Sequence, residues 1–245
     1  MSQRFRDLLI IRPQGRLVIA CDSIGGIGSK SGDTVYADPI TVATFALRVP
    51  LIELLCAKAD PIAVCNCLAV EYDPLGRQII DQVISVAAQA GIPADQVTGS
   101  TEDNVTTIST GLGISAIGSL ADDQPLPRAH SGDIVICIGR PISAPDDEVY
   151  ISHPSMVEIG EVKVLVDSGI VHDALPIGSH GIAYEIEQMA SSAGLSYSLR
   201  HSDLDYHHSA GPSSAILIAC SPRDETTLHS LVHPDRPWTI VADIH

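Results

Sequence analysis

In "CDSIGGIGSK" an acid, three glycines and a lysine fall close together: Asp22, Gly25, Gly26, Gly28 and Lys30. Glycines remove the Cβ that keeps backbone N–H groups away from phosphate oxygens, and a lysine supplies a charge that persists at neutral pH. Asp22 adds a hard oxygen ligand that can hold Mg²⁺ against the same phosphates. The pattern is not GxxxxGK[ST], so it is no P-loop, and a plain flexible turn accounts for the same residues.

Three further places put carboxylates where a core would not want them. Glu53 lies inside the apolar stretch "VPLIELLCAKA", either on an exposed stripe or aimed at something positive. "GSTEDN" sets Glu102 and Asp103 in a short turn between two predicted strands, and "VHDALPIGSHGIAYE" sets Asp173, Ser179 and His180 ahead of a predicted helix. Each alone reads as a solvated acid or a cap before it reads as a ligand. Together with the glycine stretch they point to a Mg²⁺-nucleotide site. The pair His207 and His208 has no HExxH around it, and adjacent positions alternate faces on a strand. GxSxG is absent, and no nucleophile–His–Asp triad assembles from spacing.

The elements that must position these groups are legible from pattern. "RLVIACD" reads as a buried strand that ends at Asp22. Asp38 and Pro39 open a long apolar helix, which Pro50 should kink or divide. "PIAVCNCLAVEYD" is a long β-type run, followed by the amphipathic helix of "PLGRQIIDQVISVAAQAG". Strands are predicted at "QVTGS" and "TTISTGLGISAIGS", and "LADDQPLPRAHSGD" reads as a linker. After it, "DIVICIGR", "SAILIAC" and "WTIVADI" read as strands. Helices are expected within "PSMVEIGEVKVLVDSG", "GIAYEIEQMASSAG" and "RDETTLHSLV". The expected class is α/β (α+β) in two domains, 1–122 and 131–245.

Composition narrows the function classes. Thirty acids against fourteen Lys and Arg give a net charge of -16, a surface that repels a nucleic-acid duplex. Aromatics at 4% supply few stacking platforms for single strands, and 45% apolar residues with 18% charged ones argue against disorder. The six cysteines lack CxxC pairing and sit in apolar contexts, which fits free thiols in a reducing cytoplasm. The apolar run in "MSQRFRDLLIIRPQG" is too short for a signal h-region or a membrane span.

With these residues in view, the chain resembles the aminoimidazole ribonucleotide (AIR) synthase superfamily, nearly end to end and in order. "ACDSIGGIGSK" looks like its D-G-x-G-x-K nucleotide loop, lengthened here. "IELLCAKADPIAV" is similar to N-D-[IL]-x(4)-G-A-x-P, and aligning Pro61 places Glu53 on the Mg-binding Asp of that motif. "TGSTEDN" stands where the superfamily has G-G-[ED]-T, "SGDIVICIG" resembles the strand opening its second domain, and "HDALPIGSHGIAYEI" resembles H-D-V-[ST]-x-G-G-L. The wording of "LVIACDSIGGIGSK", "ALRVPLIELL" and "VEYDPLGRQII" looks most like the α-ribazole kinase branch.

The resemblance implies an AIR synthase-like fold, with an N-terminal mixed-sheet domain that pairs into a homodimer and a C-terminal α/β sandwich. It implies ATP and Mg²⁺ as cofactors, and phosphorylation of the 5′-hydroxyl of α-ribazole in cobalamin lower-ligand salvage, in the cytoplasm, with no nucleic-acid or membrane partner. Metal ligands would be Asp22, Glu53 and either Glu102 or Asp103. Asp22, Gly25, Gly26, Gly28, Lys30 and Thr101 would bind the nucleotide, and Lys30 and Asp173 would take catalytic roles. Phe45 or Tyr72 could meet the base. A thiamine-monophosphate kinase-like or ring-closing activity, or a non-catalytic nucleotide-binding relative, are the alternatives.

Overall fold

The computed structural model describes residues 3–6, 8–11 and 15–245, and the chain forms two compact units. The first comprises Met1–Leu54 and Ala59–Asp122, the second Leu55–Lys58 and Asp123–His245.

The first unit is a six-stranded sheet in the order β1-β2-β3-β8-β6-β7. Its strands are β1 (Gln3–Phe5), β2 (Leu8–Ile11), β3 (Arg16–Gly25), β6 (Asp60–Leu68), β7 (Val97–Ser100) and β8 (Gly111–Leu120). A short parallel pair, β4 (Ile27–Gly28) and β5 (Val35–Tyr36), follows β3. Because β3 and β6 are both antiparallel to β8, and β7 is parallel to β6, strands β3, β6 and β7 run the same way. Their C-terminal ends therefore gather at one edge, beside the start of β8.

Helices α1 (Pro39–Cys56) and α2 (Arg77–Gln89) pack on the sheet. Asp38 starts α1 as expected of an N-cap, accepting the N–H groups of Ile40 and Thr41 and the Thr41 hydroxyl. Pro50 does not divide the helix, which runs unbroken through it. Leu47, Leu51, Ile52 and Leu54 are fully buried around that point, and this packing outweighs the missing backbone bond. The Leu54 side chain lies against Gly118 of β8, and Gln82 of α2 donates to Thr44 of α1 at 2.9 Å. The sheet face carrying Val18, Ala20, Ile114, Ala116 and Val64 is accordingly buried. Along β8 every second residue faces the other way and stays half-buried, the period-2 pattern of a sheet covered on one side.

Two strands depart from expectation. β3 continues past Asp22 to Gly25, and β8 begins only at Gly111, leaving residues 106–110 as a loop.

The second unit holds a five-stranded antiparallel sheet, β10-β12-β9-β13-β11. These are β9 (Ile134–Ile138), β10 (Val171–Pro176), β11 (Tyr197–Leu199), β12 (Ile216–Cys220) and β13 (Trp238–Ile244). β9 and β12 are buried at every position, which explains their unbroken apolar runs. Helix α4 (Gly181–Ala193) covers the face of Val135, Cys137, Leu217 and Ala219 through Ile182, Ile186 and Met189. Helix α3 (Ile159–Asp167) opens with a Glu158–Glu161 capping box and packs on β10, and α5 (Glu225–His229) is a short turn of helix.

Candidate functional site

The glycines of the first loop have different reasons for being there. Gly26 needs its positive φ of 71°, and its N–H donates to Thr110 O at 3.0 Å. A Cβ at Gly28 would collide with the Thr110 hydroxyl and the Asp33 carboxylate, and one at Gly32 would lie 2.7 Å from Ile108 O. These glycines let residues 26–33 pack closely on residues 107–111. Gly25 is different, since a Cβ there would meet nothing within 4 Å. Its missing side chain leaves open space.

Asp33 locks the two segments together. Oδ1 accepts the Thr110 N–H at 2.7 Å, and Oδ2 accepts the Thr110 hydroxyl at 2.7 Å and the Lys30 N–H at 2.8 Å. Burial opposes its charge, but the Thr110 and Lys30 hydrogen bonds prevail and hold its pKa below the usual carboxylate value.

Lys30 reaches across to Glu71, in the loop after β6. Its Nζ lies 2.5 Å from Glu71 Oε2 and 3.0 Å from Thr107 O. Glu71 also accepts the Thr107 N–H at 2.8 Å and the Thr107 hydroxyl at 3.0 Å. The Lys30 ammonium is the largest of the influences that bring the Glu71 pKa down to about 2. One residue on, the Tyr72 N–H donates to Asp103 Oδ1 at 2.8 Å, and Thr101 Oγ1 donates to Asp103 Oδ2 at 2.7 Å. Both bonds lower the Asp103 pKa against the repulsion of nearby Glu71. Glu102 is fixed by its N–H to Val70 O at 3.0 Å and accepts the Asn104 N–H at 2.8 Å.

The structure thus brings Lys30, Thr101, Glu102 and Asp103 together at the shared strand edge, with Glu71, Asp33, Thr107 and Thr110. The sequence reading had not singled out those last four. An acid closing the run "LAVEYD" and an aspartate three residues after Lys30 were the available signals. Such hard oxygen donors, gathered beside a lysine, have the chemistry to hold Mg²⁺ with a polyphosphate.

Asp22 sits farther down β3, opposite Ile114 of β8, which is opposite Asn66 of β6, itself opposite Gly99 of β7. This row lies on the helix-covered face. Burial raises the Asp22 pKa, opposed by the Ser23 N–H. Asn66 is 2% exposed, and its Oδ1 has no hydrogen-bond partner among the described residues. It lines a cavity of about 390 Å³ with Tyr72, Ile80, Ile84, Val97 and Thr101. Tyr72 and Thr101 are the residues that bind Asp103, so cavity and acid cluster share a wall.

Glu53 is not in that cluster. It precedes Leu54 on α1, which packs by Gly118, whereas the loops gather near Gly111 at the opposite end of β8. Asp173 belongs to the second unit, fully buried on β10 at a register irregularity, with Oδ1 accepting the Ala174 N–H at 2.9 Å. His180 is exposed ahead of α4, its ring 4.8 Å from that of Tyr184. His208 pairs with Asp147 at 2.6 Å. All six cysteines are free thiols. The 18-residue α1 is apolar and long enough to cross a membrane, yet most of it is buried against the protein as a core helix.

No family model and no curated protein sequence matches the chain. Solved structures do match. Thiamine-monophosphate kinase from Stenotrophomonas maltophilia K279a superposes with a TM-score of 0.66 at 15% identity, over 98% of this chain and 89% of that one. A chain of the HypE–HypF complex gives 0.67 at 14% identity, over 96% and 86%. PurL from Thermotoga maritima, complexed with ATP, gives 0.64 at 13% identity. There the alignment covers 99% of this chain and 41% of PurL, so this chain spans about two-fifths of that protein. The fold is the mixed α/β fold of the AIR synthase-like proteins.

Proposed function

We propose that the chain is an ATP- and Mg²⁺-dependent kinase that phosphorylates the 5′-hydroxyl of α-ribazole. The observation that carries the nucleotide half of this reading is the 390 Å³ cavity, walled by Tyr72 and Thr101 where it adjoins the Lys30–Asp103 cluster. Ile80, Ile84 and Val97 would give a base apolar contacts there, with Asn66 in the cavity wall. The ATP-bound PurL neighbour supports such a use of the fold. The acceptor rests on the sequence resemblance to the α-ribazole kinase branch.

Lys30 would exchange part of its contact with Glu71 for a phosphate oxygen, and Gly25, open on its outer side, would let the chain lie against the phosphates. Asp103 with Glu102 would hold Mg²⁺ at the strand edge, while Asp22 would serve as a ligand deeper on the helix-covered side. The ion supplies charge neutralisation for the transferring phosphoryl group, a reaction that needs positioning and electrostatics more than a covalent nucleophile. Two copies would pair through the uncovered face of the first sheet, where Leu17, Ile19, Ala63 and Ile117 are half-buried.

The test is incubation with Mg-ATP and a panel of acceptors, read by mass spectrometry. α-Ribazole phosphate should form; its absence, with thiamine diphosphate or a ring-closed product instead, moves the chain to another branch. A second reading, nucleotide binding without transfer, is favoured by one observation: Lys30 is already neutralised by Glu71. Binding of ATP with no product from any acceptor would select it.

A further inference from the structure

Outside the nucleotide site, the second unit gathers two imidazoles and a carboxylate at one point. His130, Asp133 and His172 each offer a ligand atom, and these atoms all lie within 4.8 Å of one another. We propose that they form a binding site for a divalent transition-metal ion of the Zn²⁺ and Co²⁺ class.

The local fold builds the site from two directions, the turn before β9 and strand β10. Asp133 ends the turn "HSGD" just before β9, and its carboxylate is buried, 3% exposed. That carboxylate accepts the His130 N–H at 2.8 Å, and the Asp133 N–H donates back to His130 O at 3.1 Å. The turn therefore presents His130 and Asp133 on the same side. His172, on β10, brings Nδ1 to 2.9 Å from both Asp133 oxygens. Ligands about 2.1 Å from a shared ion at angles near 90–110° stand about 3.0–3.4 Å apart, so this pair needs almost no adjustment. The His130 ring lies over that of His172, centroids 4.1 Å apart, and its exposed side chain can swing its nitrogen onto the third vertex.

Two imidazoles with one carboxylate is a donor set for Zn²⁺, Co²⁺, Ni²⁺ or Fe²⁺, whereas Mg²⁺ takes oxygen ligands almost entirely. Three protein ligands leave coordination positions to solvent, as His130 is exposed. The bland alternative is a His172–Asp133 ion pair that merely holds the turn. It gives no part to the His130 ring, and there the two readings diverge. Since His172 precedes Asp173, a bound ion would also pin β10 at its irregular register.

The experiment uses the chelator-treated full chain, without nucleotide, so that it stands apart from the kinase reading. Zn²⁺ and Co²⁺ are titrated by calorimetry, and Co²⁺ is followed by its visible d–d absorption. The wild type should bind one ion per chain with Co²⁺ bands. His130→Ala and His172→Ala should each weaken binding tenfold or more, and His207→Ala should leave it unchanged. His130→Ala keeps the backbone bonds of the turn, so it is informative even if His172→Ala fails to fold. Absence of wild-type binding tighter than about 100 μM overturns the proposal, as does wild-type affinity in His130→Ala or displacement by equimolar Mg²⁺.

Discussion

Lys30 and Glu71, 41 residues apart in sequence, meet at 2.5 Å where the loop after β3 closes on the loop after β6. The pair settles what the glycine-rich stretch does in the free protein. It is neither a loose turn nor an open phosphate cradle, but a packed loop whose lysine is held by a carboxylate.

The Glu71 pKa of about 2 fixes a pH signature. A carboxyl whose folded pKa is depressed contributes stability above its unfolded value, and loses it as pH falls through the folded value. Urea unfolding of wild type and Glu71→Gln should therefore differ by a constant amount from pH 7 to about 5, with wild type the more stable. The difference should shrink between about pH 4.5 and 2. A difference independent of pH across that range would show that Lys30 contributes nothing through the charge of Glu71.

Gly28→Ala and Gly25→Ala should part company. The first drives a Cβ into Thr110 and Asp33 and should cost about 1–3 kcal/mol, read as a lower urea midpoint. The second meets nothing within 4 Å and should unfold like wild type, while its Mg-ATP affinity falls. Equal stability loss in both would refute this division of roles.

Asn66→Val should trade function for stability. Removing a buried, unpaired amide oxygen relieves a desolvation cost, so the variant should be more stable by about 1 kcal/mol. Calorimetry should show Mg-ATP binding about tenfold weaker, since the substitution replaces an amide in the wall of the cavity with an apolar side chain. Unchanged ATP affinity would take the cavity out of the nucleotide site.

Burial raises the Asp22 pKa, so its charge destabilises the fold at neutral pH, and that penalty lifts as the pH falls through its folded value. Asp22→Asn should be the more stable protein at pH 7, with the gap closing in acid. The same variant should lose Mg²⁺-dependent enhancement of ATP binding. Identical stability at pH 7 would count against the buried charge.

Local signals in the sequence were readable where their causes are local. Asp38 and Pro39 mark the start of α1 because capping and a fixed φ act within one turn. The unbroken runs of β9 and β12 show in the sequence because both faces are covered. What stayed hidden depends on distant partners. Pro50 fails to break α1 because buried leucines around it hold the helix. β8 starts late because residues 106–110 serve as the floor of the glycine loop. Glu71 could not be paired with Lys30 from spacing, since only the common direction of β3 and β6 brings the two loops together.

The central claim is that nucleotide and metal meet at the strand edge of the first unit. A crystal structure with Mg²⁺ and a non-hydrolysable ATP analogue tests it most directly. The account predicts the base in the cavity against Ile80, Ile84 and Val97, and the phosphates by Gly25, Lys30 and Asp103. Clear density for the analogue elsewhere, with the cavity empty and Lys30 still on Glu71, would contradict it.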